Sequence, residues 1–161
     1  HRVSKLIVKK LFGTVSGKKI CILGFAFKAN TNDTRESAAI NICKDLIEEG
    51  AILFIHDPKV DPRQIEIDLD KKQNHKIKEL KNQIHTLNEG GWCSTKNIID
   101  GSDGADAVVV LTEWNEYVEL DWREISRKLR KPAWVFDARS IVPIDKINEL
   151  NLNFWKIGDG S

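Results

Sequence analysis

The residues best suited to chemistry follow the first apolar run of the chain. That run occupies residues 20–23, and the loop after it carries Lys28 and Arg35. A dinucleotide-binding strand is ordinarily followed by G-x-G-x-x-G, which lets bare backbone approach a pyrophosphate. In this loop only Gly24 is present. Two side-chain cations in a glycine-poor loop therefore indicate an anionic nucleotide ligand that is held from further away.

Arg35 is placed by the helix expected after this loop. Asp33 with Glu36 three residues later matches a D-x-x-E variant of the capping box, which predicts Asp33 as the N-cap. Arg35 then lies in the first turn, where a cation meets the positive end of the helix dipole at a cost of ~0.3–1 kcal/mol. A neighbouring anion would offset that cost. The alternative is that Arg35 pairs with a carboxylate, such as Asp33 or Asp57.

A third cation, Arg139, follows a later apolar strand at residues 132–136. Taken alone, Lys28 is an ordinary solvated lysine, and Arg139 could form a structural ion pair with Asp137. In an open parallel sheet, however, ligands bind outside the carboxyl ends of the strands, at the point where the strand order reverses. We expect Lys28, Arg35 and Arg139 to converge there, and this convergence favours a ligand site.

Other polar residues give weaker signals. Asp57 ends the second predicted strand and could bind ribose hydroxyls, but Asp-Pro also stops strands, and we favour the stop. His56 beside it is interpreted as a satisfied polar residue rather than a base. The sequence has no recognisable triad and no metal-ligand spacing such as H-x-x-H or paired cysteines. We therefore expect no catalytic residues and no metal in this chain.

Apolar runs and helical periodicities alternate along the chain, which is typical of parallel βαβ units. Strands are expected at residues 20–23, 51–55, 92–93, 107–111, 132–136 and 154–157, with helices after residue 33 and at residues 96–102, 121–130 and 144–150. The predicted fold is an α/β, Rossmann-like doubly wound parallel sheet of about six strands, ordered 3-2-1-4-5-6.

Residues 61–91 interrupt this alternation as an excursion at a sheet edge. Within it, alternating apolar residues at 65–69 predict a half-exposed strand, whereas the spacing over 77–87 is helical. The lysines of this segment are interpreted as a solvated face. Before the sheet, residues 1–17 are interpreted as the end of a connecting helix and its turn, and residues 18–161 as one domain. Two interpretations of this helix stay open, and both can hold. It packs on the sheet, or it is the end of a longer helix that joins this domain to an absent one.

Composition excludes several classes of protein. The chain has 161 residues, of which 41% are apolar, so it can bury a full core. With 25 basic and 24 acidic residues it lacks the basic footprint of a nucleic-acid binder. No apolar run approaches the ~20 residues of a membrane-spanning helix. Three unpaired cysteines indicate a reducing, cytoplasmic setting. The chain begins at His1 without any methionine, so we expect a fragment of a larger protein.

Five ordered motifs resemble a known family. They are G-F-A-F-K (24–28), D-T-R-E-S (33–37), H-D-P-K (56–59), A-D-A-V-V-V-L-T-E-W (105–114) and F-D-A-R (136–139). Together they closely resemble the C-terminal, UDP-binding domain of the UDP-glucose 6-dehydrogenases, in the UDP-glucose/GDP-mannose dehydrogenase family. The likeness covers nearly the whole chain. The GDP-mannose and UDP-N-acetylmannosamine dehydrogenases share this architecture, so the motifs identify the family but do not single out one sugar.

The resemblance implies roles for four residues. In the family, an N-terminal Rossmann domain holds NAD, the C-terminal domain holds the UDP part of the sugar nucleotide, and the reaction takes place between them. By matching motifs, Phe27, Lys28 and Arg139 contact the UDP-sugar, and Arg35 reaches toward NAD. The F-D-A-R motif has Ala138 where the family has glycine.

The resemblance also implies what this chain lacks. The family oxidises UDP-glucose twice, to UDP-glucuronate, and its nucleophilic cysteine, lysine and acid lie in segments before this domain. None of Cys21, Cys43 and Cys93 matches that cysteine, so we expect the isolated chain to be catalytically inactive and, because it lacks half of the cleft, to bind the UDP-sugar weakly at best. The resemblance also leads us to expect that the full-length enzyme is a homo-oligomer. Two alternatives stay open: a stand-alone nucleotide-binding or regulatory module, and a purely structural oligomerisation domain.

Overall fold

The computed structural model describes residues 2–158, apart from the side chains of Lys81 and Asn82. Within this part of the chain, a 6-stranded sheet has the order β3-β2-β1-β4-β5-β6, and every neighbouring pair is parallel. The strands are β1 (Lys19–Leu23), β2 (Ile52–His56), β3 (Gly91–Ser94), β4 (Ala107–Val110), β5 (Trp134–Asp137) and β6 (Asn153–Lys156). The predicted strand order and direction are confirmed.

Helices connect the strands and cover the sheet. They are α1 (Arg2–Lys10), α2 (Ala38–Glu48), α3 (Pro62–Leu69), α4 (Ile77–Leu80), a 3-10 helix (Lys81–Thr86), α5 (Ile98–Ser102), α6 (Asn115–Val118), α7 (Trp122–Lys128) and α8 (Ile144–Asn148). From β1 the chain moves outward to β2 and β3, and it then crosses to β4 on the other side of β1 and continues to β5 and β6. Because crossovers between parallel strands are right-handed as a rule, connections that run in opposite directions put helices on both faces, so the Rossmann-like doubly wound α/β fold is confirmed.

The central strands supply the core. Every residue of β1, β2 and β4 is buried, as continuous apolar strands covered on both faces must be. A smaller cluster at the β3 edge joins Ile52, Phe54 and Cys93 to Ile77 and Ile84 from the 61–91 segment. The excursion predicted for residues 61–91 therefore packs against the edge of the sheet.

The half-exposed strand predicted at residues 65–69 is wrong. These residues belong to α3, which begins after the N-cap Asp61, whose side chain accepts from the N–H of Arg63, with Pro62 in the first turn. Ile65 and Leu69 face the core one helical turn apart, while Ile67 is 71% exposed. The Asp-Pro pair is a helix start signal that outweighs a short alternation of apolar residues.

The N-terminal helix α1 packs onto the domain. Ile7 and Leu11 are buried in the main core, and the Ser4 hydroxyl donates to Asp45 Oδ2 on α2 at 2.6 Å. The division into residues 1–17 and 18–161 stays a prediction, and His1 and residues 159–161 lie outside the described residues. Among residues 2–158, no helix is long and apolar enough to span a bilayer.

Candidate functional site at the carboxyl edge of the sheet

The loops after β1, β4 and β5 come together at the carboxyl edge of the sheet. Strand β1 lies between β2 and β4, and β4 lies beside β5, so the loops that leave these parallel strands are neighbours. The chain moves from β1 in one direction and from β4 in the other, which makes this edge the switch point of the sheet. Residues 24–37, 111–114 and 138–142 form the loops concerned, and Asp57 directly follows β2.

Gly24 is required for contact between two of these loops. It has φ +101°, and a Cβ atom at this position would lie 2.4 Å from both Cβ and Oγ1 of Thr112. The buried Thr112 hydroxyl donates to the carbonyl of Ala26 at 2.7 Å. Gly24, the single glycine of the first loop, therefore lets the backbone of that loop approach the loop that follows β4.

Asp57 organises the start of the first loop from the end of β2. Its Oδ2 atom accepts from the backbone N–H groups of Phe25 and Ala26 at 2.8 and 3.0 Å, and from the indole N–H of Trp114 at 3.2 Å. Its Oδ1 atom accepts from the N–H groups of Lys59 and Val60. Both oxygens are thus engaged with the protein, which supports the structural interpretation of Asp57 over a ribose-binding one.

Lys28 stands in the exposed part of the first loop. The half-buried Phe27 closes this loop, because its N–H donates to the carbonyl of Asp33 at 3.0 Å. The Lys28 ammonium lies 5.3 Å from the centroid of the Phe27 ring, within the range of a cation–π contact. The exposed Lys28 cation is therefore presented beside an aromatic ring at the switch point.

The predicted capping box at residues 33–36 is wrong. Helix α2 begins at Ala38 after the N-cap Ser37, whose hydroxyl accepts from the N–H of Ala39 and donates to the carbonyl of Phe25. Glu36 has φ +62° and lies in a turn before the helix. Ser37 rather than Asp33 caps the helix, because the Ser37 hydroxyl accepts from a helix N–H and also donates to the backbone just after β1.

Arg35 accordingly lies in that turn, before the N-cap Ser37, and its cation does not occupy the first turn of a helix as predicted. Its guanidinium pairs with Asp33, with Nη2 2.8 Å from Oδ2, and its side chain is 87% exposed. Hydrogen bonds from Arg35 lower the pKa of Asp33 to about 2. This is the carboxylate pairing considered as the alternative, and it leaves the Arg35 cation projecting from the edge of the domain.

Arg139 is fixed at both its backbone and its head group. The fully buried Asp137 accepts from the N–H groups of Arg139, Ile141 and Val142. The Arg139 guanidinium pairs with Glu113 rather than with Asp137, with Nη2 2.5 Å from Oε2. Asp137 therefore shapes the third loop, and a residue of the second loop holds the arginine.

Glu113 is the residue that the sequence reasoning missed. Its Oε1 atom accepts from the N–H of Ala29 at 2.9 Å while its Oε2 atom holds Arg139, so it links the first and third loops. Burial would raise the pKa of Glu113, but hydrogen bonds from Arg139 and from backbone N–H groups outweigh it and lower the pKa. Its position in the T-E-W motif, directly after a central strand, was a signal for this role.

The described residues include no evident nucleophile or base at this edge. The free thiols Cys21, Cys43 and Cys93 are buried, and burial raises the pKa of all three, to about 12 for Cys21 and about 11 for Cys93. His56 Nδ1 lies 2.8 Å from the hydroxyl of the buried Tyr117, which fits the predicted satisfied histidine. No group of histidine, cysteine, aspartate or glutamate side chains within the described residues could hold a metal ion.

The structure brings the predicted residues to one edge but gives them different settings. The loop containing Phe27 and Lys28 is linked to Arg139 through Glu113, whereas Arg35 stands apart with Asp33. The edge can bind an anion through Lys28 and offer directed N–H donors through Arg139.

Solved structures share this fold. An NDP-N-acetyl-D-galactosaminuronic acid dehydrogenase from Methanosarcina mazei Go1 superposes with a TM-score of 0.67 over 98% of this chain and 28% of its own, at 22% identity. A UDP-glucose dehydrogenase from Pyrobaculum islandicum superposes with a TM-score of 0.62 over 95% of this chain and 28% of its own, at 21% identity. At these identities the likeness is one of fold.

Sequence relatives are much nearer. A UDP-glucose 6-dehydrogenase of Drosophila melanogaster is 40% identical over 158 residues, which are 98% of this chain and 32% of that protein. One of Gallus gallus is 44% identical over 157 residues, which are 98% of this chain and 30% of that protein. The chain therefore spans about a third of the length of these relatives.

A family-level match covers most of the chain. The model of the UDP-glucose/GDP-mannose dehydrogenase family, UDP binding domain, matches residues 21–144, which contain all three loops of the carboxyl edge. The resemblance seen in the five sequence motifs is thereby confirmed, and the chain belongs to the UDP-glucose/GDP-mannose dehydrogenase family as its UDP binding domain.

Proposed function

We propose that this chain is the domain of an NAD-dependent UDP-glucose 6-dehydrogenase that holds the UDP part of the substrate at the carboxyl edge of its sheet. In this proposal Phe27, Lys28 and Arg139 contact the UDP-sugar. The observation that carries it is the link through Glu113 between Arg139 and the loop of Lys28, which gives a diphosphate ligand one cation from each loop.

The diphosphate of the ligand is anionic, so its binding requires positive charge, and its oxygens accept hydrogen bonds from directed donors. Lys28 is exposed, and its ammonium is a mobile point charge that can follow a phosphate oxygen. Arg139 is held by Glu113 and offers the guanidinium donors in a fixed orientation. Lys28 therefore supplies a mobile positive charge, and Arg139 supplies oriented hydrogen-bond donors.

NAD belongs to the same proposal, with its main site on a domain outside this chain. Asp57, at the position where a dinucleotide-binding domain binds ribose, is engaged by backbone and indole N–H groups instead. Arg35, 87% exposed and held by Asp33, would reach the cofactor across the cleft. Homo-oligomeric assembly of the full-length enzyme and a cytoplasmic setting stay predictions.

Calorimetry with UDP tests the proposal. We expect the chain to bind UDP and Lys28→Ala to bind it about tenfold more weakly, since a charge-assisted contact is lost. The matched control is Lys44→Ala, an exposed lysine on α2, which should bind as the unaltered chain does. If the unaltered chain does not bind UDP, or Lys28→Ala binds it equally well, the purely structural alternative is favoured.

The chain alone should not catalyse the reaction. The family's nucleophile and acid lie outside it, and the thiols at positions 21, 43 and 93 are buried. Absorbance at the NADH band, followed with UDP-glucose and NAD, should stay flat. Steady NADH production by this chain would contradict the assignment of catalysis to other segments. Substrate profiling of the full-length enzyme would decide between UDP-glucose and the related sugars.

A further inference from the structure

One carboxylate joins the two loops that carry the proposed UDP contacts. Glu113 Oε1 accepts from the N–H of Ala29, the neighbour of Lys28, at 2.9 Å. Glu113 Oε2 lies 2.5 Å from Nη2 of Arg139. The loops leave strands β1 and β5, which are separated by β4 in the sheet. The Glu113 side chain therefore bridges the two loops from the loop that follows the strand between them.

Glu113 is itself held on both sides. Thr112 before it is fully buried and donates its hydroxyl to Ala26 at 2.7 Å. Trp114 after it donates its indole N–H to Asp57 at 3.2 Å. Since both neighbours are anchored to the first loop and to the end of β2, the Glu113 backbone has little freedom. The carboxylate is consequently a fixed support for the groups that it binds.

Arg139 keeps donors for a ligand while it is held. A guanidinium carries N–H groups on three nitrogens, and the contact with Glu113 uses Nη2. The Arg139 side chain retains 31% exposure, so the pairing with Glu113 does not remove the side chain from solvent. An arginine fixed before the ligand arrives loses less conformational freedom on binding than an unsupported arginine.

We propose that Glu113 is a positioning residue for the nucleoside diphosphate: it aims Arg139 and holds the loop of Phe27 and Lys28 at the spacing in which both loops contact one ligand. This inference rests on the proposed function for its ligand. Glu113 acts through Arg139 and Ala29 and needs no contact of its own with UDP.

A double-mutant cycle on UDP affinity tests this role. We expect Glu113→Ala to weaken UDP binding about tenfold, as loss of contacts to a charged group does. In the Arg139→Ala background the same change should cost clearly less, because residues that act as a unit are not additive. Glu113→Gln keeps one carbonyl acceptor for Ala29 and should bind with intermediate affinity. The matched control, Glu48→Ala, removes an exposed carboxylate at the end of α2 and should have no effect.

Side-chain NMR of the Arg139 guanidinium provides a readout without a ligand. In the unaltered chain, hindered rotation about the Nε–Cζ and Cζ–Nη bonds should give resolved Nη signals, and Glu113→Gln should average them. Additive effects in the cycle, or equal rotation in both proteins, would overturn the positioning role. If the unaltered chain does not bind UDP, the proposed function fails, while the guanidinium signals still decide whether Glu113 positions Arg139. The glutamine variant and its NMR signals also serve if Glu113→Ala does not fold.

Discussion

A Cβ atom added to Gly24 would lie 2.4 Å from the Cβ of Thr112, and Gly24 has φ +101°. The two residues follow neighbouring strands, β1 and β4, and their contact sets the first loop against the second. Gly24 therefore serves the packing of one loop on another. In a dinucleotide-binding loop the glycines serve the approach of the ligand, and this difference explains why a single glycine suffices here.

Gly24→Ala should destabilise the fold by ~2–4 kcal/mol, because a side chain at this φ is strained and its Cβ would overlap Thr112. Urea unfolding measures the change. The matched control is Gly104→Ala, which also has a positive φ, +74°, but has nothing within 4 Å of the added Cβ. The control should cost only the backbone strain of ~1 kcal/mol. Equal losses in the two variants would contradict a role for the contact with Thr112.

Asp57→Asn should also destabilise the chain, by ~2–4 kcal/mol, because an amide cannot accept at both positions and leaves N–H groups of the first loop unsatisfied. The affinity for UDP should fall with it, as the loop loses its support. Asp61→Asn, at the N-cap of α3, is the comparison, since asparagine caps a helix as well as aspartate does. If both variants unfold at the same urea concentration, the hydrogen bonds of Asp57 do not support the first loop, and the prediction is wrong.

Arg35→Ala should leave both the urea midpoint and the UDP affinity of this chain unchanged. The Arg35 side chain is 87% exposed and its ion pair is with Asp33, and exposed pairs of this kind contribute little to stability. In the full-length enzyme the same change should raise the KM for NAD with little effect on the KM for UDP-glucose. A reduced UDP affinity in the variant chain would place Arg35 with Lys28 and Arg139 on the substrate side.

His56 should couple the stability of the fold to pH. Burial lowers the pKa of His56 below its usual value of 6.5, and the carboxylates of Glu116 and Asp57 oppose this shift only in part. As pH falls through that value, the unfolded chain takes up the proton first, so the stability present at higher pH is lost. The urea midpoint should therefore drop between about pH 7.5 and 5.5, and less steeply in His56→Gln.

His75→Gln is the control for this pH dependence, because His75 is exposed and the substitution should leave the slope unchanged. NMR titration of the His56 ring gives an independent measurement. A pKa for His56 above that of an unfolded histidine would reverse the sign of the prediction.

Much of the fold was predictable because its signals are local. Continuous apolar runs such as those of β1 and β4 identify buried parallel strands without knowledge of their neighbours. The segment at 65–69 shows the limit of that reasoning, since three alternating apolar residues fit a strand and also a short helix with one exposed isoleucine. In this segment the N-cap residue Asp61 indicates a helix, and it is a better signal than the alternation of apolar residues.

The sequence by itself determined the order of the strands, the family and the edge of the sheet at which Lys28 and Arg139 lie. Each of these depends on hydrophobic periodicity, connection handedness or motif identity, which can be read along the chain. Only the tertiary structure decided the roles of Ser37, Asp57 and Glu113. Their partners lie far away in sequence, as Ala29 does from Glu113, and packing of the loops sets which donor each oxygen meets.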